Sequence, residues 1–218
     1  MKKIFWSIPI IIMVLGACKS MNNTQKGTGI GAAGGAAIGA LVAKNSVVGA
    51  LIGAAVGGTA GYFIGKDMDK QSKELKQAVP NAEVERVGEG INLTFNSGLL
   101  FKINSANLSD SAKQDLTKVA GVFKKYPDTK ILLEGHTDDT GPDDFNMDLS
   151  KKRAESVADY LATQGVDTAR LIKKWYGETQ PKFPNDSEAN RVKNRRVEIG
   201  VYADDKMKQK ANSGEMKE

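Results

Sequence analysis

The sequence predicts an α/β domain at the C-terminal end, a mixed four-stranded sheet covered by helices on one face, preceded by a glycine-rich helical hairpin. Two observations predict it. Between residues 85 and 203, short stretches of alternating apolar and polar residues are interleaved with stretches whose apolar residues recur at helical spacing. Between residues 27 and 65 the chain is almost wholly Gly, Ala, Ile, Val and Leu, and glycine returns at every fourth position.

In chain order, the first element is an address. Met1-Lys2-Lys3 is a short basic start and Ile4–Leu15 an apolar run. That run is too short for the ~20 residues of a spanning helix but suits a secretory signal. It closes on Leu15-Gly16-Ala17-Cys18, which resembles the lipobox of bacterial lipoproteins. Residues 1–17 are therefore expected to be cleaved, and Cys18, the single cysteine of the 218 residues, to be lipidated at the head of an 18–26 segment. The competing reading is an ordinary signal peptide with a stray cysteine. Each buried CH₂ of an acyl chain contributes ~0.8 kcal/mol, so several chains give lasting anchorage. Lys19 stands where an inner-membrane retention aspartate would sit in enterobacteria, which points to the outer membrane with the C-terminal domain in the periplasm.

Segment 27–65 is the second element. Gly27, Gly31, Gly35 and Gly39 form one ladder, and Gly49, Gly53, Gly57, Gly61 and Gly65 another, with Lys44-Asn45-Ser46 as the natural turn between them. A four-residue period lays the glycines along one helix face, where another backbone can approach closely. Two helices of ~24 and ~28 Å at 1.5 Å per residue approach the thickness of a hydrocarbon core. The segment resembles the glycine-zipper region of some outer-membrane lipoproteins, and is expected to insert in lipid or to pair as a homo-oligomer. A flexible linker is the competing reading, although linkers dilute glycine with serine and charge rather than with Leu, Ile and Val. Residues 66–84 are charged and helix-prone, a spacer interrupted by Pro80.

Within 85–203, Ile91, Leu93 and Phe95 alternate as a half-buried strand. Ala112, Leu116, Val119, Ala120 and Phe123 mark a helix closed by Tyr126-Pro127. Residues 130–134 form a compact second strand. Leu149, Ala154, Val157, Ala158 and Leu161 mark a second helix that stops near Gly165. Residues 171–176 give a third strand, and Val197, Ile199 and Val201 a fourth. Residues 204–218 are charged without an apolar period and are expected to be disordered.

Charge and composition exclude several functions. The net charge is +5, yet residues 81–203 hold 18 basic and 19 acidic side chains, so the excess lies upstream around apolar segments. A nucleic-acid binder concentrates its basic residues on the folded domain, and this chain does not. One histidine, His136, and one cysteine leave no ligand set for zinc, so no metal or cofactor is expected.

Four motifs carry a family resemblance. Phe101-x-x-Asn104-Ser105-Ala106-x-Leu108 comes first, then Glu134-Gly135-His136-Thr137-Asp138-x-Thr140-Gly141. Asn146-x-x-Leu149-Ser150-x-x-Arg153-Ala154 and Asn194-Arg195-Arg196-Val197-Glu198-Ile199 complete the set. In this order, across 85–202, they resemble the C-terminal domain of outer membrane protein A and of the peptidoglycan-associated lipoprotein. The resemblance implies a peptidoglycan ligand gripped at the diaminopimelate residue of its stem peptide, which would tie the outer membrane to the wall. The far end of that side chain is a zwitterion and needs a carboxylate and a guanidinium suitably spaced. By resemblance Asp138 takes the ammonium and Arg153 the carboxylate. Asn146, expected in the loop between them, orients ligand or backbone, and Asn104, Thr140 and Arg195 match further contact positions.

The bland alternative makes Asp138 and Arg153 a structural salt bridge, and the sequence alone could exchange the roles of Arg195 and Arg196. His136 reads as a strand-end packing or hydrogen-bonding residue rather than a catalyst, Trp175 and Tyr176 as core or sheet-face residues, and Asp139, Asp143 and Asp144 as a solvated loop, with a calcium site there the weaker option. A wall hydrolase would need two carboxylates flanking a sugar-sized cleft or a zinc site, and no motif supplies either. The expectation is a non-enzyme; the alternative is a membrane-active oligomer built by the glycine ladder and positioned by the wall domain.

Cys18→Ser is expected to leave an unprocessed precursor that takes up no labelled palmitate; a variant that still labels and fractionates with outer membrane would refute the anchor.

Overall fold

The structure, a computed structural model, describes residues 46–102 and 105–216. Cys18, the first glycine ladder and Asn104 lie outside the described residues.

The described elements are α1 (Ser46–Gly53), α2 (Gly58–Ala78), β1 (Glu83–Val87), β2 (Gly90–Asn96), α3 (Ser97–Leu100) and α4 (Asp110–Lys125). They continue with β3 (Thr129–His136), α5 (Asp143–Thr163), a 3₁₀ turn (Thr168–Arg170), β4 (Leu171–Trp175), α6 (Glu188–Asn194), β5 (Arg196–Ala203) and α7 (Asp205–Ser213). The sheet order is β1-β2-β5-β3-β4, antiparallel except for β3 beside β4, whose parallel pairing uses α5 as its crossover. The sheet has five strands rather than the four expected. The extra one is the edge strand β1, whose Glu83, Glu85 and Arg86 hide it from a search for apolar alternation.

One face of the sheet is the main core. Register aligns Ile91, Val201 and Ile131 across three strands, and Leu93, Ile199 and Leu133 beside them, all fully buried under α4 and α5. Ser109 starts α4 by accepting a hydrogen bond from Ala112 N, and Leu116, Val119 and Phe123 face the sheet.

The other face corrects the expectation of helices on one side only. Val47 and Leu51 of α1 bury themselves against Leu132, next to Gly200, which leaves room for Val47. The second glycine ladder is therefore not one continuous helix. It breaks between α1 and α2, where Gly57 and Gly58 take φ values of 72° and 62°, open to glycine at little cost. The buried carboxylate of Glu89 sits in that break, accepting hydrogen bonds from Val56 N (2.7 Å) and Gly57 N (2.9 Å) at the start of α2. A negative group there complements the helix dipole. Gly61 admits it, since a Cβ at 61 would lie 2.2 Å from Glu89 Oε1. At 57 and 61, then, the glycine period accommodates a carboxylate of the same chain. Among the described residues no helix is long and apolar enough to cross a membrane.

Beyond the α1 contact the same face carries a buried polar row. Thr94, Glu198 and Glu134 lie abreast, and His136 pairs with Arg196. Arg196 Nε donates to Glu198 Oε1 (2.6 Å), and its Nη2 to the Gln180 carbonyl of the long β4–α6 connection. His136 stacks on Tyr176 with ring centroids 5.5 Å apart. Burial and the nearby Arg196 charge depress His136 from 6.5 to about 3, so it is neutral at physiological pH.

The tail expected to be disordered instead forms α7. Asp204 caps it at Met207 N, Met207 and Ala211 are buried, and the helix packs along α2 and β5. Two apolar residues four apart are too sparse a signal for a sequence pattern to reveal.

One backbone contact sets the geometry at the end of β3. At Gly135 a Cβ would lie 2.0 Å from the Ser150 carbonyl oxygen, so α5 rests directly on the strand. Ser150 Oγ accepts from Gly177 N (2.9 Å), and Thr137 N donates to the Gly177 carbonyl (2.8 Å). Strand end, helix and turn are thereby joined.

Gly135→Ala should destabilise the fold by ~1–3 kcal/mol through overpacking. Gly121→Ala, in the middle of α4 with nothing within 4 Å of the added carbon, should be neutral or gain up to ~1 kcal/mol. Urea melts of both check the contrast. His136 adds a pH effect. Its folded pKa is depressed, so its contribution is complete above about 6.5 and is lost as pH falls toward 3. Relative to His136→Phe, the natural protein should lose stability over that window with a slope approaching about 1.4 kcal/mol per pH unit. Parallel acid limbs for the two proteins would exclude the effect.

Candidate ligand-binding site

A cavity of about 470 Å³ opens where β3 ends, bounded by α3, the first turns of α5 and the α6–β5 junction. Asp138, Thr140, Asn146, Arg153 and Arg195 all line it, five of the six ligand positions expected from sequence. The sixth, Asn104, lies outside the described residues.

Asp138 comes just after β3 and is buried. Its Oδ1 accepts from Thr140 N (3.1 Å), closing an Asx turn, and its Oδ2 accepts from Arg195 Nη1. Arg195 bridges two carboxylates, since its Nη2 also donates to Glu188 Oε1 (2.5 Å). Burial opposes the Arg195 charge, but the bonds to Glu188 and Asp138 prevail and raise its pKa. The bond from Arg195, and after it that from Arg191, lowers Glu188.

Arg153 sits on α5 one turn beyond Ser150 and is only 4% exposed. Nε donates to the Ser105 carbonyl (3.1 Å), Nη1 reaches Ser97 Oγ at 3.5 Å, and the guanidinium lies 5.3 Å from the centre of the Phe101 ring. No carboxylate of the described residues comes within ion-pair distance. Burial, then Arg195, lowers its pKa, and Asp138 only partly offsets them. Asp138 and Arg153 are thus neighbours across the cavity, not a direct salt bridge.

Asn146, expected in a loop, stands in the first turn of a helix, because α5 begins at Asp143. Its Nδ2 donates to Glu178 Oε2 (2.6 Å) and to the Thr140 carbonyl (3.3 Å), tying the Asp138 loop to α5. Asp143 and Asp144 are exposed acids in that first turn, favoured by the helix dipole. The two adjacent arginines separate at the junction of α6 and β5, Arg195 following the helix and Arg196 opening the strand. Arg195 lines the cavity, whereas Arg196 is buried on Glu198. Trp175 is partly exposed under Lys151 Nζ, 5.2 Å from its ring centroid.

Glu188 and Lys102, both lining the cavity, escape a reading of the sequence, as does Glu178. Glu188 and Arg195 are seven residues apart across a short helix and so share a face, a weak signal that could have paired them. Phe145 and Val192 add exposed apolar walls.

The sequence pattern of the OmpA family matches residues 100–195, and that of the YMGG-like Gly-zipper matches residues 1–69. The chain is 41% identical over 138 residues to the probable lipoprotein YiaD of Escherichia coli (strain K12), covering 62% of this chain and 63% of YiaD. It is 36% identical to the outer-membrane lipoprotein YfiB of Pseudomonas aeruginosa, covering 53% of this chain and 69% of YfiB. It is also 36% identical to the peptidoglycan-binding protein ArfA of Mycobacterium tuberculosis, covering 51% of this chain and 34% of ArfA. The matches therefore span less than two thirds of YiaD and of ArfA. The fold is shared with the cell wall anchor of the Pseudomonas aeruginosa T6SS, at a TM-score of 0.55 and 28% identity over 63% of this chain and 97% of that one.

Proposed function

The chain belongs to the OmpA family, and from that premise we propose that it is a lipid-anchored outer-membrane protein whose periplasmic domain binds peptidoglycan without catalysing a reaction on it. The observation that carries the reading is the cavity itself, which sets a buried carboxylate, Asp138, opposite a buried guanidinium that has no acid partner among the described residues, Arg153. The names of ArfA and of the T6SS wall anchor support a wall ligand.

The zwitterionic end of diaminopimelate fits this pair. Its ammonium meets Asp138, which keeps acceptor capacity beyond the bonds from Thr140 and Arg195. Its carboxylate meets Arg153, whose fork can bind it through two bonds. Arg195, held by Glu188, orients Asp138 and adds positive charge beside the ligand carboxylate. Phe145 and Val192 flank the methylene arm. Each charge-assisted bond contributes ~1.5–3 kcal/mol, which yields a firm but reversible grip. The function is retention: the anchor holds one end of the chain at the membrane and the cavity holds the other at the wall.

Asp138→Asn and Arg153→Gln are expected to weaken co-sedimentation with purified sacculi at least tenfold, a loss of ~1.5–3 kcal/mol, because each leaves one ligand charge without its partner. Both residues are buried, so circular dichroism melts accompany the binding assay. Lys151→Ala, whose ammonium lies over Trp175, should bind normally. Undiminished sedimentation of a folded Asp138→Asn or Arg153→Gln protein would refute the site.

A further inference from the structure

The cavity does not balance its own charge. Three cations line it, Lys102, Arg153 and Arg195, against two carboxylates, Asp138 and Glu188. Both carboxylates are engaged by one cation, Arg195. Among the described residues no acid pairs with Arg153 or Lys102. A zwitterionic head brings no net charge. It places a carboxylate on Arg153 and an ammonium on Asp138, and one positive charge is left over. That charge is Lys102.

We propose that Lys102 is a second carboxylate-binding position, so that the site selects stem peptides with a free carboxylate outside the zwitterionic head and disfavours peptides in which that group is amidated. The proposal rests on the stem-peptide reading of the cavity.

Three observations support it. Lys102 comes directly after Phe101, whose ring faces the Arg153 guanidinium, so the second cation is adjacent in sequence to the wall of the first. Its backbone is pinned on both sides, by the Phe101–Leu108 bridge and by Ser105 N donating to the Lys102 carbonyl (3.1 Å). The ammonium thus swings from a fixed base. The remaining rim charge, Glu188, repels an additional carboxylate, which leaves Lys102 as the favourable partner. An amide at the same position is neutral and gains nothing from an ammonium beyond a neutral hydrogen bond. Lys102 is exposed, so the selectivity is that of a solvated ion pair, roughly threefold to fivefold, and falls with added salt.

The test uses the full chain in detergent and three synthetic stem tripeptides, L-alanyl-γ-D-glutamyl-meso-diaminopimelate. One has all carboxylates free. The other two carry a single carboxamide, at the glutamyl α-carboxyl or at the diaminopimelate carboxyl nearer the peptide bond. The natural protein should bind the free acid roughly threefold to fivefold more tightly than one of the two amides. Lys102→Met should remove that preference by weakening the free acid alone, and Lys102→Arg should retain it. Equal affinity for all three peptides in the natural protein, or an unchanged preference in Lys102→Met, would overturn the role of Lys102 while leaving the zwitterion site intact. Failure of the natural protein to bind any of the three would instead overturn the stem-peptide reading, and this proposal with it.

Discussion

The absence of a side chain at residue 135 is the constraint on which the rest of the domain depends. A helix cannot normally rest its backbone on a strand, because the Cβ layer intervenes. At Gly135 that layer is missing, and the Ser150 carbonyl occupies the space. Everything at the end of β3 is measured from this contact. Asp138 leaves the strand three residues later, and Arg153 leaves the helix three residues after Ser150, so the two charges are aimed into one space by a single point of closest approach. Gly177 completes the joint, with its N–H bound to Ser150 Oγ and its carbonyl to Thr137 N. Asn146 and Arg153 stand on α5, Asp138 and Thr140 come from a short turn closed by their own bond, and Arg195 comes from the α6–β5 junction.

Folding a guanidinium into this position without an acid beside it has an energetic cost, only partly offset by the Ser105 and Ser97 contacts. An anion that binds Arg153 relieves that cost. Occupancy and stability are therefore linked, stability rising with the logarithm of one plus the ligand concentration over its dissociation constant. Arg196 takes the opposite solution. It is as buried as Arg153 but paired at 2.6 Å with Glu198, and therefore has nothing to offer a ligand. Adjacent residues of one motif thus divide into a site residue and a structural one at the boundary between α6 and β5.

Legibility in the sequence depended on whether the signal was local. The three central strands and helices α4 and α5 are readable, because Ile91-Leu93-Phe95 and Val197-Ile199-Val201 bury one face each and Leu116-Val119-Phe123 bury one stripe. Helix α2, read over residues 66–78 as a charged spacer, instead buries Ile64, Met68 and Leu75 in the same core. Five of the six expected ligand positions converge on one cavity because the motifs fall at element ends that the topology brings together. The features that escape are set by distant partners. Strand β1 is charged, yet pairs along its whole length with β2. Helix α7 offers only two apolar residues to its neighbours, so its sequence looks like a solvated tail. Glu188 matters only through Arg195, and Glu178 only through Asn146. The second glycine ladder has the period of helix packing, but at Gly57 and Gly61 its partner is Glu89, a single carboxylate 28 residues beyond Gly61, and no periodicity reports such a partner.

That carboxylate also governs how α1 can leave the domain. Residues 46–57 are stowed against the sheet by Val47, Leu51 and the two Glu89 bonds, and drawn out would span about 40 Å. A pull on the chain ahead of Ser46 meets α1 first. It separates two apolar side chains and breaks two hydrogen bonds, while the strand ladder and the cavity at the end of β3 keep their own contacts. The Glu89 clasp is in that sense a fuse, the part that gives way before the sheet is loaded.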